Sequence, residues 1–390
     1  MKIVMCHEYY QRRGGEDEVF DLETALLRRE GHEVIVRTAH NDEIRQRSLL
    51  RTGLGALWNQ RQYREFRDLV RQEKPDIVHF YNTFPLISPA AIHGAKSAGA
   101  TVVQSLHNYR LMCVNASLFR ELKPCENCVG STVPLAGVKH GCYHDSRVQS
   151  AAVAAMLATH SLASTWTSKV DLFLLGSTEF ALARFEKAGL DPTRIVLKPN
   201  FVSPDPGIGD GAGGYALFVG RFDAEKGVED LLRAWKLHEP QRKLVIVGDG
   251  PLAELVAAAT ERLPNVEWLG RQTLEEMYET MKHAAFLVFP SRWYEAMPRT
   301  ILDAFAVGTP VLASRVGVMQ HLIREDQTGR FFEPGSARSL QRESERMFRQ
   351  GEPLSAMRNA ARRAYETSYT ADQNYKLIID AYRRAIDSAA

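Results

Sequence analysis

Three short segments in the second half of the chain carry the side chains best suited to chemistry. The first, Gly220-Arg221-Phe222-Asp223-Ala224-Glu225-Lys226-Gly227, follows an apolar run of strand length and precedes a helical pattern. Glycine lets the main chain approach a ligand closely, and a helix start offers free N–H groups to an anion. With the cations of Arg221 and Lys226 at the same spot, this segment suits a diphosphate without requiring a metal ion. The second, Gly248-Asp249-Gly250-Pro251, also follows a strand, and a turn with a helix-starting proline explains it equally well. The third is Pro290-Ser291-Arg292-Trp293-Tyr294-Glu295, followed by AMPRTILDAFAVGTPVLASRVG. Glu295 falls in a loop after a strand, and a helix starting near Pro298, Arg299 and Thr300 would turn its N–H groups toward a terminal phosphate. Asp303, eight residues after Glu295, lies on that helix. In the first half, Gly14-Gly15 precede a helical pattern, and His107-Asn108 close an apolar strand. An imidazole titrating near neutrality can donate to a hydroxyl or handle a proton.

Cysteine supplies a separate constellation. Cys113, Cys125, Cys128 and Cys142 fall in one excursion over 110–147, and only Cys6 lies elsewhere. Four thiolates around one C-x-x-C pair can close a tetrahedral zinc site, with His140 and His144 in reserve. Such a site would be structural, because no ligand position would remain open. Free, partly buried thiols are the alternative.

The elements that must position these residues alternate between strand and helix. Lys2–Cys6 reads as a buried strand, 12–18 as a loop, the stretch through Val19, Leu22 and Leu26 as a helix, and His32–Val36 as a second strand. Ile77–Phe80, Thr101–Leu106, Leu172–Leu174 and Ile195–Leu197 continue the series. Near residue 200 the texture changes: Pro199-Asn200-Phe201 leads into DPGIGDGAGG, which reads as a flexible linker. Beyond it come strands Tyr215–Val219, Lys243–Val247, Val266–Leu269, Phe286–Phe289 and Pro310–Ala313, with helices between them. The pattern implies two doubly wound α/β halves whose active site lies between them, beyond the carboxyl ends of parallel strands.

A net charge of +2 gives no global field for nucleic acid. The longest apolar stretch, Ala151 to Ala158, is far short of the ~20 residues a membrane span needs, and the amino terminus lacks the pattern of a signal peptide. These features suggest a cytoplasmic protein. Between Arg45 and Lys74 eight basic residues stand against three acidic ones, interleaved with Leu49, Leu50, Leu54, Leu57 and Trp58. A basic amphipathic patch of this kind suits peripheral contact with the anionic inner face of a membrane. A solvated helix packed on the sheet is the plainer reading.

Taken together, the second-half motifs resemble those of the retaining GT-B glycosyltransferases of family four, the glycogen synthase-like group. The matching pieces are G-R-x-x-x-x-K-G at Gly220–Gly227, G-x-G-P at Gly248–Pro251, P-S-x-x-x-E at Pro290–Glu295, G-T-P-V-L-A-S at Gly308–Ser314 and T-G-R-F-F-E-P-G at Thr328–Gly335. The resemblance implies an N-terminal acceptor domain over 1–200 plus about 371–390, whose last helix crosses back from a donor domain over 201–370. It implies a nucleoside-diphosphate sugar, UDP- or GDP-linked, as donor, with no cofactor for catalysis. A hexosyl unit would pass with retention to a saccharide or lipid-linked saccharide acceptor, in bacterial polysaccharide or glycoconjugate biosynthesis. Gly14 and Gly15 would approach the donor diphosphate, His107 would lie beside the donor sugar, Glu295 would hold its hydroxyls, and Gly220, Gly248 and Gly250 would line the nucleotide. Asp303 stands where the family has Glu to bind the ribose. A GT-B epimerase or phosphorylase and a non-catalytic sugar-nucleotide-binding protein are the rival readings, but the signature carboxylates and pyridoxal lysine of the first two are not found.

Overall fold

A computed structural model describes residues 1–46, 48–349 and 351–389, without the side chains of Leu49, Glu352 and Pro353. Arg47 and the Leu49 side chain of the basic patch, and Ala390, therefore lie outside the described residues. The chain divides into two units, one of Met1–Arg120, Cys125–Pro199 and Asn374–Ala390, the other of Glu121–Pro124 and Asn200–Gln373.

In the first unit a six-stranded sheet runs in the order Glu33–His40, Lys2–Tyr9, Ile77–Phe80, Val102–Leu106, Leu172–Leu175, Ile195–Leu197. Every neighbouring pair is parallel. Such a sheet is covered on both faces, which is why its central strands read as near-continuous apolar runs. The first strand extends three residues beyond the apolar run, through His7, Glu8 and Tyr9. Those polar residues are tolerated because each finds a partner. His7 Nε2 meets Asp17 Oδ1 at 2.7 Å, the Glu8 carboxylate accepts the N–H groups of Leu86 and Ile87, and Tyr9 donates to Asp21 at 2.6 Å. The helices of this unit used below are α1 (Gly15–Arg29), α2 (Leu49–Leu57), α3 (Gln60–Glu73), α4 (Ala90–Ser97), α5 (Leu135–Lys139) and α6 (Arg147–Leu162). The last helix, Ala371–Ala389, inserts Ile378, Ile379, Tyr382 and Ala385 into a core with Ile3, Met5, Phe20 and Tyr81.

The second unit repeats the plan with the order Val266–Trp268, Lys243–Val247, Tyr215–Val219, Phe286–Phe289, Val311–Ser314, Gly329–Phe332, again parallel throughout. Its two cores lie on opposite faces of the sheet, one around Phe305, Ile301 and Leu217, the other around Trp235, Phe286 and Ile246. The Asp205–Gly214 segment holds no regular element, as its composition implies. Contacts from elsewhere in the unit nonetheless hold this expected linker. Arg362 grips the Asp205 carboxylate at 2.6 Å and Asp210 meets His283 at 3.0 Å. The Gly209 and Gly211 N–H groups donate to the carbonyls of Val307 and Lys282, each at 2.9 Å. Side chains remote in sequence thus fasten a segment that lacks the residues to fasten itself.

Candidate functional site

In the second unit three loops at the carboxyl ends of Tyr215–Val219, Lys243–Val247 and Phe286–Phe289 are knit together by main chain. Phe222 N–H donates to the Asp249 carbonyl at 3.0 Å, Leu252 N–H to Phe222 at 3.1 Å, and Arg292 N–H to Glu225 at 2.8 Å. Two glycines make that approach attainable. Gly248 has φ +135°, and a Cβ there would lie 1.9 Å from the Gly220 carbonyl oxygen. Gly227 has φ +75°, and a Cβ would lie 2.0 Å from the Pro290 carbonyl oxygen. Side chains are excluded at both points.

On this frame Lys226 Nζ meets Glu295 Oε1 at 2.7 Å, and Ser291 Oγ donates to the same oxygen at 2.8 Å. Glu295 is buried, and the ammonium also lies 5.3 Å from the Trp293 ring centroid. Arg221 is exposed, its guanidinium 3.1 Å from Asp223. Arg292 does not reach this cluster; it makes a two-pronged bond to buried Asp230, with Nε–Oδ2 2.6 Å and Nη2–Oδ1 2.5 Å. The structure thus brings Gly220, Lys226, Gly248, Gly250 and Glu295 onto one set of loops, with a cation and a carboxylate already joined. The following helix runs Arg299–Ala306 with Pro298 as its N-cap and Thr300 in its first turn. Asp303 faces inward from it, accepting from the Tyr278 hydroxyl at 2.8 Å and lying 3.8 Å from Arg299. Burial, and then the Asp303 charge, push the Tyr278 hydroxyl well above its ordinary pKa, so it remains a donor.

In the first unit Gly14 is the N-cap of α1 and Gly15 its first residue, so the pair forms the helix mouth rather than a loop before it. Buried Asp17 organises that mouth, accepting from the Gly14 N–H at 2.8 Å while paired with His7. Glu16 accepts from Tyr10 Oη at 2.8 Å and from Asn108 Nδ2 at 3.1 Å, linking the mouth to the residue after His107. His107 stacks on Tyr81 with ring centroids 5.6 Å apart and planes 8° from parallel. Its Nε2 is buried and without a hydrogen-bond partner. Burial, then the Lys198 and His7 charges, push the His107 imidazole down to about 3. That corrects the expectation of an imidazole titrating near neutrality: His107 is neutral at physiological pH.

Beneath this surface lies a network that sequence reading missed. Glu23 and Lys198, both fully buried, form an ion pair; Tyr81 donates to the same carboxylate, and Asn374 lies 3.4 Å from it. Tyr81 is thereby fixed at one end to Glu23 and stacked at the other on His107. Glu23 and Lys198 are 175 positions apart, which leaves no local signal of their pairing.

The cysteines behave differently from the expected zinc site. All four are free thiols, and the charges of Cys113, Cys142 and Cys125 add to burial in raising Cys128 to about 11. Among the described residues, however, no group of three or more His, Cys, Asp or Glu side chains is gathered as a metal site. The excursion is instead ordered by turn hydrogen bonds, including Cys125 N–H to Leu118 and Cys142 N–H to Gly137. Buried Val114 and Leu118 pack within it, Val114 so closely on Gly137 that a Cβ there would lie 2.5 Å away.

Two α/β units, each built on a six-stranded parallel sheet, place the chain in the GT-B class of folds. Solved structures agree: a lipopolysaccharide outer core galactosyltransferase, WaaB, superposes with TM-score 0.68 at 18% identity, covering 98% of this chain and 99% of that one. Sucrose-phosphate synthase from Thermosynechococcus elongatus gives 0.71 at 16% identity, with 99% of each chain covered. Anabaena HepE in complex with UDP-glucose gives 0.67 at 15%, covering 98% of this chain and all of that one. The family models for a glycosyl transferase 4-like domain and for glycosyl transferases group 1 match residues 14–200 and 210–364. The chain thus joins a glycosyl transferase 4-like domain to a glycosyl transferases group 1 domain. Curated relatives include an uncharacterized glycosyltransferase of Methanocaldococcus jannaschii, 30% identical over 149 residues, 38% of this chain and 42% of that protein. The O-antigen chain mannosyltransferase C of Escherichia coli is 29% identical over 178 residues, 45% of this chain and 47% of that protein. The matched stretches span less than half the length of the first curated relatives.

Proposed function

We propose that the protein transfers a hexosyl unit from a nucleoside-diphosphate sugar, UDP- or GDP-linked, to a hydroxyl of a saccharide or lipid-linked saccharide, with retention, in polysaccharide or glycoconjugate assembly. In this reading the second unit is the donor-binding domain and the first the acceptor-binding domain. The observation that carries this reading is the Lys226–Glu295 pair on three glycine-gated loops. A diphosphate arriving there exchanges one anionic partner of Lys226 for another, so the cation is never left unpaired. Glu295, released, accepts from sugar hydroxyls.

The bond from the anomeric carbon to the β-phosphate oxygen breaks, and the bond to the acceptor oxygen forms on the same face. The acceptor proton passes to the departing phosphate oxygen, so no protein carboxylate attacks the sugar, unlike in retaining hydrolases. Arg221, Lys226 and the N–H groups around Arg299 and Thr300 stabilise the charge that develops on the leaving diphosphate, without a metal ion. His107, neutral and with Nε2 unpartnered, hydrogen-bonds a donor-sugar hydroxyl, and Asp303 with Tyr278 holds the ribose.

Titration calorimetry with UDP-, GDP- and ADP-sugars in the presence of EDTA tests the reading. One sugar nucleotide is expected to bind in the micromolar range typical of such substrates, roughly 1 μM–1 mM, and to support transfer. Binding that appears only when Mg²⁺ is restored contradicts the metal-independent part, and binding of none contradicts the whole.

A further inference from the structure

The first unit exposes large apolar side chains in a way the second does not. Val148 is 81% exposed, Leu162 77%, Leu50 73% and Leu54 60%, whereas the highest such value in the second unit among the described residues is 56%, for Ile208. These four side chains belong to one surface. Helices α2 and α6 lie side by side: a Cβ on Gly53 would sit 3.8 Å from Ala152 Cβ, and His160 Nε2 lies 2.9 Å from the Leu57 carbonyl. On α6, Val148, Ala151, Ala155 and Leu162 fall at helical spacing on one stripe, while Val153, Met156, Leu157 and His160 are buried on the other. On α2, Leu50 and Leu54 are one turn apart and flank that stripe.

The rim of the surface is basic. Arg51 on α2 and Arg147 at the start of α6 are exposed, and neither meets a carboxylate among the described residues. Lys139 at the end of α5 is exposed as well. Asp145 is the acidic residue of the α5–α6 connection, and Asp42, before α2, is taken up by His40 and lies 3.9 Å from Arg45. An apolar stripe bordered by unpaired arginines is complementary to an acyl boundary beneath anionic headgroups. A second copy of this chain would set Arg51 and Arg147 against like charges.

We propose that the α2–α6 face rests on an anionic lipid bilayer, with Leu50, Leu54, Val148 and Leu162 entering the headgroup boundary and Arg51 and Arg147 meeting lipid phosphates. This relocates the basic patch's contact. The sequence pattern pointed to 45–74, but α3 carries its arginines on a polar surface, where Arg61 pairs with Glu65 and Arg67 with Asp68. The apolar partner of α2 is α6, nearly a hundred residues away in sequence.

Co-sedimentation of the full chain with vesicles, without donor or acceptor, tests this independently of the proposed reaction. Vesicles containing phosphatidylglycerol are expected to pellet the protein at low salt, pure phosphatidylcholine vesicles far less, and high salt should release it. Leu50→Glu/Leu54→Glu and Val148→Glu/Leu162→Glu should each lower partitioning at least about tenfold. Arg51→Glu/Arg147→Glu should abolish the preference for phosphatidylglycerol. All these positions are at the surface, and unchanged circular-dichroism melting checks that the variants fold. Absence of partitioning, or partitioning unchanged in both apolar variants, overturns the proposal. So does a dimer, seen by light scattering, that Leu50→Glu/Leu54→Glu dissociates, because the face then belongs to a second copy.

Discussion

The two units present ion pairs near their strand ends that are alike in chemistry and opposite in setting. In the second, Lys226 and Glu295 meet within a loop cluster, the carboxylate buried but the lysine side chain 19% exposed and within reach of an arriving anion. In the first, Glu23 and Lys198 are fully buried, bridged to Tyr81 and Asn374 and closed to any ligand. A pair whose cation still reaches solvent can change partners when a substrate comes; a fully buried one cannot without leaving a charge in a medium that penalises it. The Lys226–Glu295 pair is therefore suited to binding, and the Glu23–Lys198 pair to holding Tyr81, and through it His107, in place.

Breaking the buried pair should have the largest effect. Lys198→Met leaves the Glu23 carboxylate buried without its cation and is expected to cost about 3–5 kcal/mol of stability, read from urea unfolding. Glu23→Leu/Lys198→Met together should recover much of that loss. If the single variant unfolds at the wild-type urea midpoint, the contrast between the two pairs fails. Lys226→Ala should do the reverse, leaving stability less affected while donor affinity falls by about 1.5–3 kcal/mol, the range for a charge-assisted contact. Calorimetry showing unchanged affinity removes Lys226 from the donor site.

These two pairs also mark what the sequence could and could not show. Strands Tyr215–Val219 and Lys243–Val247 are legible to the residue, because each is a continuous apolar run bounded by glycine or charge. Lys226 and Glu295 are legible as candidates because their motifs are local, and the structure brings the two side chains together. The first strand's extension through His7, Glu8 and Tyr9 was not, since it depends on Asp17, the Leu86 and Ile87 amides and Asp21. Nor was the anchoring of Asp205–Gly214, which rests on Arg362, His283 and distant carbonyls. Glu23, Lys198 and Glu16 were invisible for the same reason: a charged residue reads as surface until its partner is known. The cysteine cluster is a different case: composition suggested a metal, and among the described residues turn hydrogen bonds and buried apolar contacts order the excursion without a gathered ligand set.

His107 sharpens the comparison through pH. Its folded pKa is held at about 3 by burial, Lys198 and His7, against 6.5 for a free imidazole. As pH falls below about 6.5 the unfolded chain takes up a proton that the folded chain refuses, so stability declines from there toward pH 3. Above that window the contribution is complete. His107→Asn cannot titrate and should give a flatter stability curve between about pH 6.5 and 3. NMR of the imidazole C2–H should show no titration of His107 between about pH 5 and 9 in the wild type. A resolved titration near 6.5 would mean that the Tyr81–Glu23–Lys198 network does not govern it.

The smallest effect belongs to Asp303, where the chain departs from the family's usual Glu. In the structure its carboxylate is buried and accepts the Tyr278 hydroxyl at 2.8 Å, so the shorter side chain is matched by a tyrosine that meets it. Asp303→Glu adds one methylene to a packed site and drives the carboxylate into that hydroxyl. The expected cost is about 1–1.5 kcal/mol of stability, at the low end for overpacking, with donor KM altered no more than about threefold, since both side chains offer the same acceptor. Tyr278→Phe removes the obstructing oxygen, so Asp303→Glu should cost less in that background than in the wild type. A double-mutant cycle on urea midpoints measures the difference. Coupling is expected because the two groups share one hydrogen bond; strictly additive effects would show that Tyr278 does not accommodate the shorter carboxylate.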